Sequence, residues 1–296
     1  MAHTPSRRSF LASTGALALA GAVGWPRTAG ATQPETSSAL SALLVSNDLY
    51  ASPAPQRVAF AVYRGPKPAT GAPAQLALAP PGSAQGQIVP ARQMSAGLPK
   101  GRGVYVVEAV LDRPGVYPGE VLTLKHRLPM SLDVKATAAA PTVGSAASRA
   151  PSPTPQNPLG VNPICTRQPM CPLHSVSLAD VIGSGRPVAV LFATPALCQT
   201  RYCGPVLNEL LTTRGAFESR VTFVHVEIYT SNSGTTLAPT VQAWNIPFEP
   251  WFFTVDGGGT IRGRLDSAFG RDEITPLLES LGAPGALAGR DRAHRR

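Results

Sequence analysis

Charge is scarce in this sequence, and so is cysteine. Asp, Glu, Lys and Arg make up 15% of its 296 residues, and there are four cysteines. No basic stripe with interleaved aromatic residues is present, so the net charge of +9 does not point to a nucleic-acid partner. The excess is positional, since Arg7, Arg8 and Arg27 lie near the start and Arg290, Arg292, Arg295 and Arg296 close the chain. No apolar run reaches the ~20 residues that a membrane-spanning helix needs. No cysteine occurs between Ser37 and Thr137, which confines thiol chemistry to the second half. Proline and glycine are plentiful, at 31 and 28 residues, and lead to an expectation of many turns and linkers.

Ser6-Arg7-Arg8-Ser9-Phe10-Leu11 matches a twin-arginine signal. The small-residue apolar run Leu11 to Val23 follows it, and Ala29-Gly30-Ala31 supplies an A-x-A cleavage site. Residues 1–31 are therefore read as a removable signal peptide, with a mature chain starting near Thr32. The absence of cysteine at the cleavage site argues against a lipid anchor. The expected location is extracytoplasmic, secreted or associated with the cell envelope, with no stable membrane span after cleavage. In an oxidising compartment an even set of cysteines is expected to pair.

Residues 32–137 read as all-β. Val58 to Tyr63, Gln75 to Ala79, Val104 to Leu111, Val121 to Lys125 and Ser131 to Lys135 are short runs of β-branched, aliphatic and aromatic residues between Pro/Gly turns. Gly103-Val104-Tyr105 and Asp112-Arg113-Pro114-Gly115-Val116-Tyr117 resemble elements of immunoglobulin-like modules, which implies a small antiparallel sandwich acting as a spacer or partner-binding module. Residues 138–160 are mostly Pro, Ser and Ala, and read as a semi-stiff linker. Residues 161–288 form the second expected domain, and 289–296 a basic tail.

The second domain is organised around Pro187 to Leu211. Val188 to Phe192 is an unbroken apolar run, read as a strand buried on both faces. Cys198 and Cys203 follow in a turn, and Pro205 opens an apolar pattern of helical period. A thiol at a helix N-terminus meets unpaired N–H groups and the positive end of the helix dipole, both of which favour the thiolate. Upstream, Cys165 and Cys171 lie six apart, with His174 three residues further on. That pattern is read as a structural disulfide, with a metal site or a second redox pair as its functional counterpart. His225, in the strand pattern Val221 to Tyr229, falls on the same face as Phe223 and Glu227 and is read as a structural histidine.

The strand, cysteine turn and helix, together with Pro250 before Trp251 to Val255 and the Asp256-Gly257 hairpin turn, resemble the thioredoxin superfamily, with C-x4-C spacing in place of C-x2-C. The resemblance implies a multidomain chain, with the immunoglobulin-like sandwich followed by an α/β thioredoxin-like domain. It implies thiol–disulfide exchange with extracytoplasmic protein thiols or disulfides and a redox partner protein, without a cofactor. Cys198 would attack, Cys203 would resolve, and a cis Pro250 would set the backbone of Glu249 towards Cys198. Two other readings stand beside it. One is a non-catalytic scaffold held by two disulfides. The other is a copper chaperone resembling the Sco type, in which Cys198, Cys203 and His225 or His174 hold Cu(I).

Overall fold

The computed structural model describes residues 39–281. The twin-arginine motif, its cleavage site and the basic tail lie outside the described residues.

The first eight strands are β1 (Leu40–Leu44), β2 (Ser52–Arg64), β3 (Lys67–Pro68), β4 (Ala74–Leu78), β5 (Gln87–Met94), β6 (Val104–Leu111), β7 (Gly115–Thr123) and β8 (Arg127–Val134). They form one antiparallel sheet in the order β1-β2-β6-β5-β4-β7-β8, with β3 paired to β2. Its ends, β1 and β8, pack together, so the sheet is nearly closed on itself. Alternation along the strands turns Val58, Phe60, Leu76, Val107, Tyr117, Val121 and Leu132 into a common interior. Tyr117 is fully buried, and its hydroxyl donates to Asp112 Oδ1 at 3.0 Å and accepts from the Arg113 N–H at 3.2 Å. Tyr117→Phe is expected to cost about 0.5–1.5 kcal/mol, the net worth of the lost hydrogen bonding. Urea denaturation measures this.

The second sheet is built from β9 (Val188–Phe192), β10 (Thr222–Val226), β11 (Trp251–Val255) and β12 (Ile261–Asp266), in the order β10-β9-β11-β12. β9 runs parallel to β10 and antiparallel to β11. Every residue of β9 is buried, as its sequence predicts. Ala189 and Leu191 face a core closed by α2 (Cys203–Arg214) and α4 (Arg271–Ser280). Val188, Val190 and Phe192 face the opposite core, with Trp244, Trp251 and Phe253. That side is covered by two short helices, α1 (Leu178–Val181) and α3 (Pro239–Ala243), and by the extended segment 138–161.

The expected fold class, an immunoglobulin-like sandwich joined to an α/β thioredoxin-like domain, is corrected by this arrangement. The described residues are mostly β, with 36% strand and 13% helix, no α/β thioredoxin-like domain is evident among them, and the N-terminal strands form one barrel-like sheet, not two stacked ones. The described residues also belong to one compact unit. Arg57 of β2 donates to Glu273 Oε1 at 2.6 Å, to Asp266 Oδ1 at 3.1 Å and to the Ala268 carbonyl at 2.6 Å. Arg264 of β12 donates to Asp48 Oδ2 at 2.8 Å. These buried ion pairs tie the two sheets together.

The linker expected at 138–160 is likewise packed. Ala140 and Ala147 are buried, and the Ala147 and Gly144 N–H groups donate to the carbonyls of Gly259 and Ile261. Side chains as small as alanine let an extended backbone lie close against a sheet, so a low content of bulky apolar residues does not prevent ordering here.

Candidate functional site

The turn after β9 is held by its own backbone. The Leu197 and Cys198 N–H groups donate to the Thr194 carbonyl at 3.2 and 3.0 Å, and the Arg201 N–H donates to the Cys198 carbonyl at 3.2 Å. Arg201 takes a positive φ of 62°. α2 starts at Cys203, so Cys198 lies before the helix. This decides whether the pair can meet, because residues five apart inside a helix would be about 7.5 Å apart along its axis. With Cys198 in the turn, the two cysteines approach to 2.6 Å.

Their surroundings differ. Cys203 is fully buried and Cys198 is partly exposed. The Cys198 sulfur accepts the Cys203 N–H at 3.4 Å and lies 3.2 Å from the Thr200 hydroxyl. Hydrogen bonding from the Cys203 thiol, opposed by burial and reinforced by Thr200 and the Cys203 and Tyr202 N–H groups, lowers the Cys198 thiol to about 5. Burial, then the hydrogen bond to Cys198 and the charge on it, pushes the Cys203 thiol far above its ordinary value. The first turn of α2 carries no acidic residue to counter this polarity.

Glu249 joins the pair. One of its carboxylate oxygens lies within 4.8 Å of both sulfurs. Burial, then the Cys198 charge, raises its carboxyl to about 7. The Glu249–Pro250 bond is cis, and Pro250 leads into β11, whose Trp251 pairs with Phe192 at the end of β9. Cys198, Cys203 and the Glu249–Pro250 step are therefore brought to one place.

Cys165 and Cys171 form a second centre. Both are buried free thiols, and the Cys171 N–H donates to the Cys165 sulfur at 3.4 Å. His174 and His225 join them, also buried. The two histidines thus sit with this pair and not with Cys198 and Cys203. The His225 N–H donates to the Leu173 carbonyl at 2.9 Å, which lays the cysteine loop along β10. Hydrogen bonding from the Cys171 thiol, against burial and with help from both imidazoles, lowers Cys165, while the same bond and burial raise Cys171.

Sequence reasoning gave no role to the Glu249 side chain, placed His174 beside Cys165 and Cys171 only in the alternative metal reading, and favoured a structural His225 except in the copper reading, where it stood with Cys198 and Cys203. The available signals were the three-residue spacing from Cys171 to His174 and a histidine inside an apolar strand. A cleft of about 410 Å³ between the two sheets, lined by Arg57, Glu108, Arg264, Asp266 and Glu273 among others, has no cysteine in its lining. No protein-family model matches this chain, and no curated protein matches it.

Proposed function

We propose that this chain carries out thiol–disulfide exchange on protein thiols or disulfides outside the cytoplasm, with Cys198 as the nucleophile and Cys203 as the resolving thiol. The supporting observation is the asymmetry of the pair: a partly exposed sulfur stabilised as thiolate at the start of α2, against a fully buried thiol. In the reducing direction, the Cys198 thiolate attacks one sulfur of a substrate disulfide, and the other sulfur leaves as a thiolate. Cys203 then loses its proton and attacks the Cys198 sulfur. This releases the second substrate thiol and leaves a Cys198–Cys203 disulfide, so two electrons pass to the substrate. Glu249 is the carboxylate placed to take the Cys203 proton. The oxidising direction reverses these steps. The described residues contain no helix long and apolar enough to cross a membrane.

The test is a trapping experiment with a peptide disulfide. Cys203→Ser is expected to accumulate a mixed disulfide at Cys198, visible by intact mass, whereas the wild-type chain turns over. Cys198→Ser is expected to exchange no faster than buffer. A Cys198→Ser variant with the wild-type rate would remove Cys198 from the mechanism.

A further inference from the structure

We propose that Cys165, Cys171, His174 and His225 form a closed tetrahedral site for one zinc ion, which fastens the 164–174 loop beneath the turn carrying Cys198.

The first support is the donor geometry. One ligand atom from each residue lies within 4.8 Å of the others, and all four residues are at most 3% exposed. Zinc binds thiolate sulfur at about 2.3 Å and imidazole nitrogen at about 2.0–2.1 Å, so a regular tetrahedron has edges of roughly 3.4 Å between nitrogens, 3.5 Å from sulfur to nitrogen and 3.8 Å between sulfurs. His174 Nε2 and His225 Nδ1 are 3.2 Å apart. Cys171 Sγ lies 3.3 Å from His174 Nε2 and 3.4 Å from His225 Nδ1, and Cys165 Sγ lies 3.9 Å from His225 Nδ1. All four separations fall within a few tenths of an ångström of the edges of that tetrahedron.

The orientation of His225 is a second, independent observation. Its Nε2 lies 3.0 Å from the Ala193 carbonyl. A carbonyl only accepts, so the proton sits on Nε2 and the Nδ1 lone pair points at the cysteines, the arrangement of a metal-bound histidine held by an outer hydrogen bond. The Cys171 N–H directed at Cys165 Sγ supports negative charge on that sulfur.

Charge and access identify the cation. Two thiolates and two neutral imidazoles around Zn²⁺ make a unit of zero net charge, which an apolar interior tolerates far better than an isolated thiolate. A closed set of two sulfurs and two nitrogens suits zinc, and the absence of an open coordination position makes the site structural. It reaches the redox turn by two routes. His225 holds the Ala193 carbonyl just after β9. Thr166, beside Cys165, accepts the Ala196 N–H on its hydroxyl at 3.1 Å and donates from both N–H and hydroxyl to Glu227 Oε1.

Cobalt(II) titration of the reduced full-length chain tests the proposal. One equivalent is expected to give the visible absorption of tetrahedral cobalt and a thiolate charge-transfer band, both abolished by zinc. Cys171→Ser is expected to retain about half of the charge-transfer intensity, because one of two thiolates is lost. Should that variant fail to fold, the wild-type chain gives an independent readout. Zinc is expected to protect Cys165 and Cys171 from iodoacetamide and a chelator to expose them, with Cys198 reactive throughout. Cys198→Ser is expected to bind cobalt like the wild type, so the outcome does not depend on the exchange activity. The proposal is overturned if the reduced wild-type chain shows no tetrahedral spectrum, if that spectrum requires Cys198, or if the purified chain carries a different metal.

Discussion

Arg57→Ala is expected to destabilise the protein by about 3–5 kcal/mol, the range for removing one partner of a buried ion pair. The Arg57 side chain is 9% exposed, as is Asp266, and Glu273 is 7% exposed, so truncation leaves two carboxylates with little access to water. Burial opposes the charge on Arg57, yet Glu273 and then Asp266 outweigh it and hold the guanidinium above its ordinary value. The Ala268 carbonyl would also lose its donor. At roughly 2–4 °C per kcal/mol for a protein of this size, Tm should fall by roughly 6–20 °C. Arg57→Met combined with Glu273→Met removes one stranded charge and is expected to cost less than Arg57→Ala alone. The exposed Arg127–Glu120 pair, at 70% and 43% exposure, is expected to contribute under about 1 kcal/mol. A loss as small as that at Arg57 would show that this junction does not hold the two sheets together.

The second large effect is the pH dependence of Cys198. With its thiol lowered to about 5, Cys198 is expected to be about nine-tenths ionised at pH 6, against a few in a thousand for an ordinary thiol near 8.5. A less basic thiolate is also less nucleophilic, with a Brønsted coefficient of about 0.4–0.5, so the net gain in alkylation rate is roughly five- to tenfold. Glu249 adds a second inflection. Its carboxyl, raised to about 7 by burial and by the Cys198 charge, ionises after the thiol. Reaction with an anionic aromatic disulfide should therefore rise through about pH 5 and fall above about pH 7, where the new carboxylate repels the reagent. Glu249→Gln should keep the first inflection and lose the second. A first inflection near 8.5 would rule out a stabilised thiolate.

The two groups act on stability with opposite signs. Cys198 is lowered on folding from 9.0, so its contribution to the reduced chain is complete above 9.0 and is lost as the pH falls to about 5. Glu249 is raised from 4.5, so its cost is absent below 4.5 and complete above about 7.

The legible parts of the fold were those written in adjacent residues. Val188 to Phe192 announces a doubly buried strand by its own composition, and Gly204-Pro205 marks the start of α2 where the chain leaves the cysteine turn. β1 and β5 are not legible as strands, Pro90 interrupting the weak alternation of β5, and the even spacing of the remaining runs with the Gly-x-Tyr and Pro-Gly-x-Tyr strings points to a sandwich. A sandwich and a nearly closed sheet share the same period-two pattern, and only the pairing of strands separates them. Of the cluster of Cys165, Cys171, His174 and His225, the first three are legible as a spacing that admits a metal site, and His225 is not, for a related reason. His225 lies 54 residues from Cys171, and only the parallel register of β10 against β9, with the cysteine loop laid along β10, brings them together.

The segment 138–161 also determines how the chain can be divided. β12 is an edge strand of the second sheet, and residues 144–147 hydrogen-bond to its start, with Ala146 opposite Thr260. A fragment beginning at residue 162 would expose that edge to pairing with other chains and would remove Ala140, Ala147 and Val161 from the core. The proline-rich stretch that looks like the natural place to cut is thus the seam along which the halves are joined, and any fragment that preserves the cysteine sites must carry it whole.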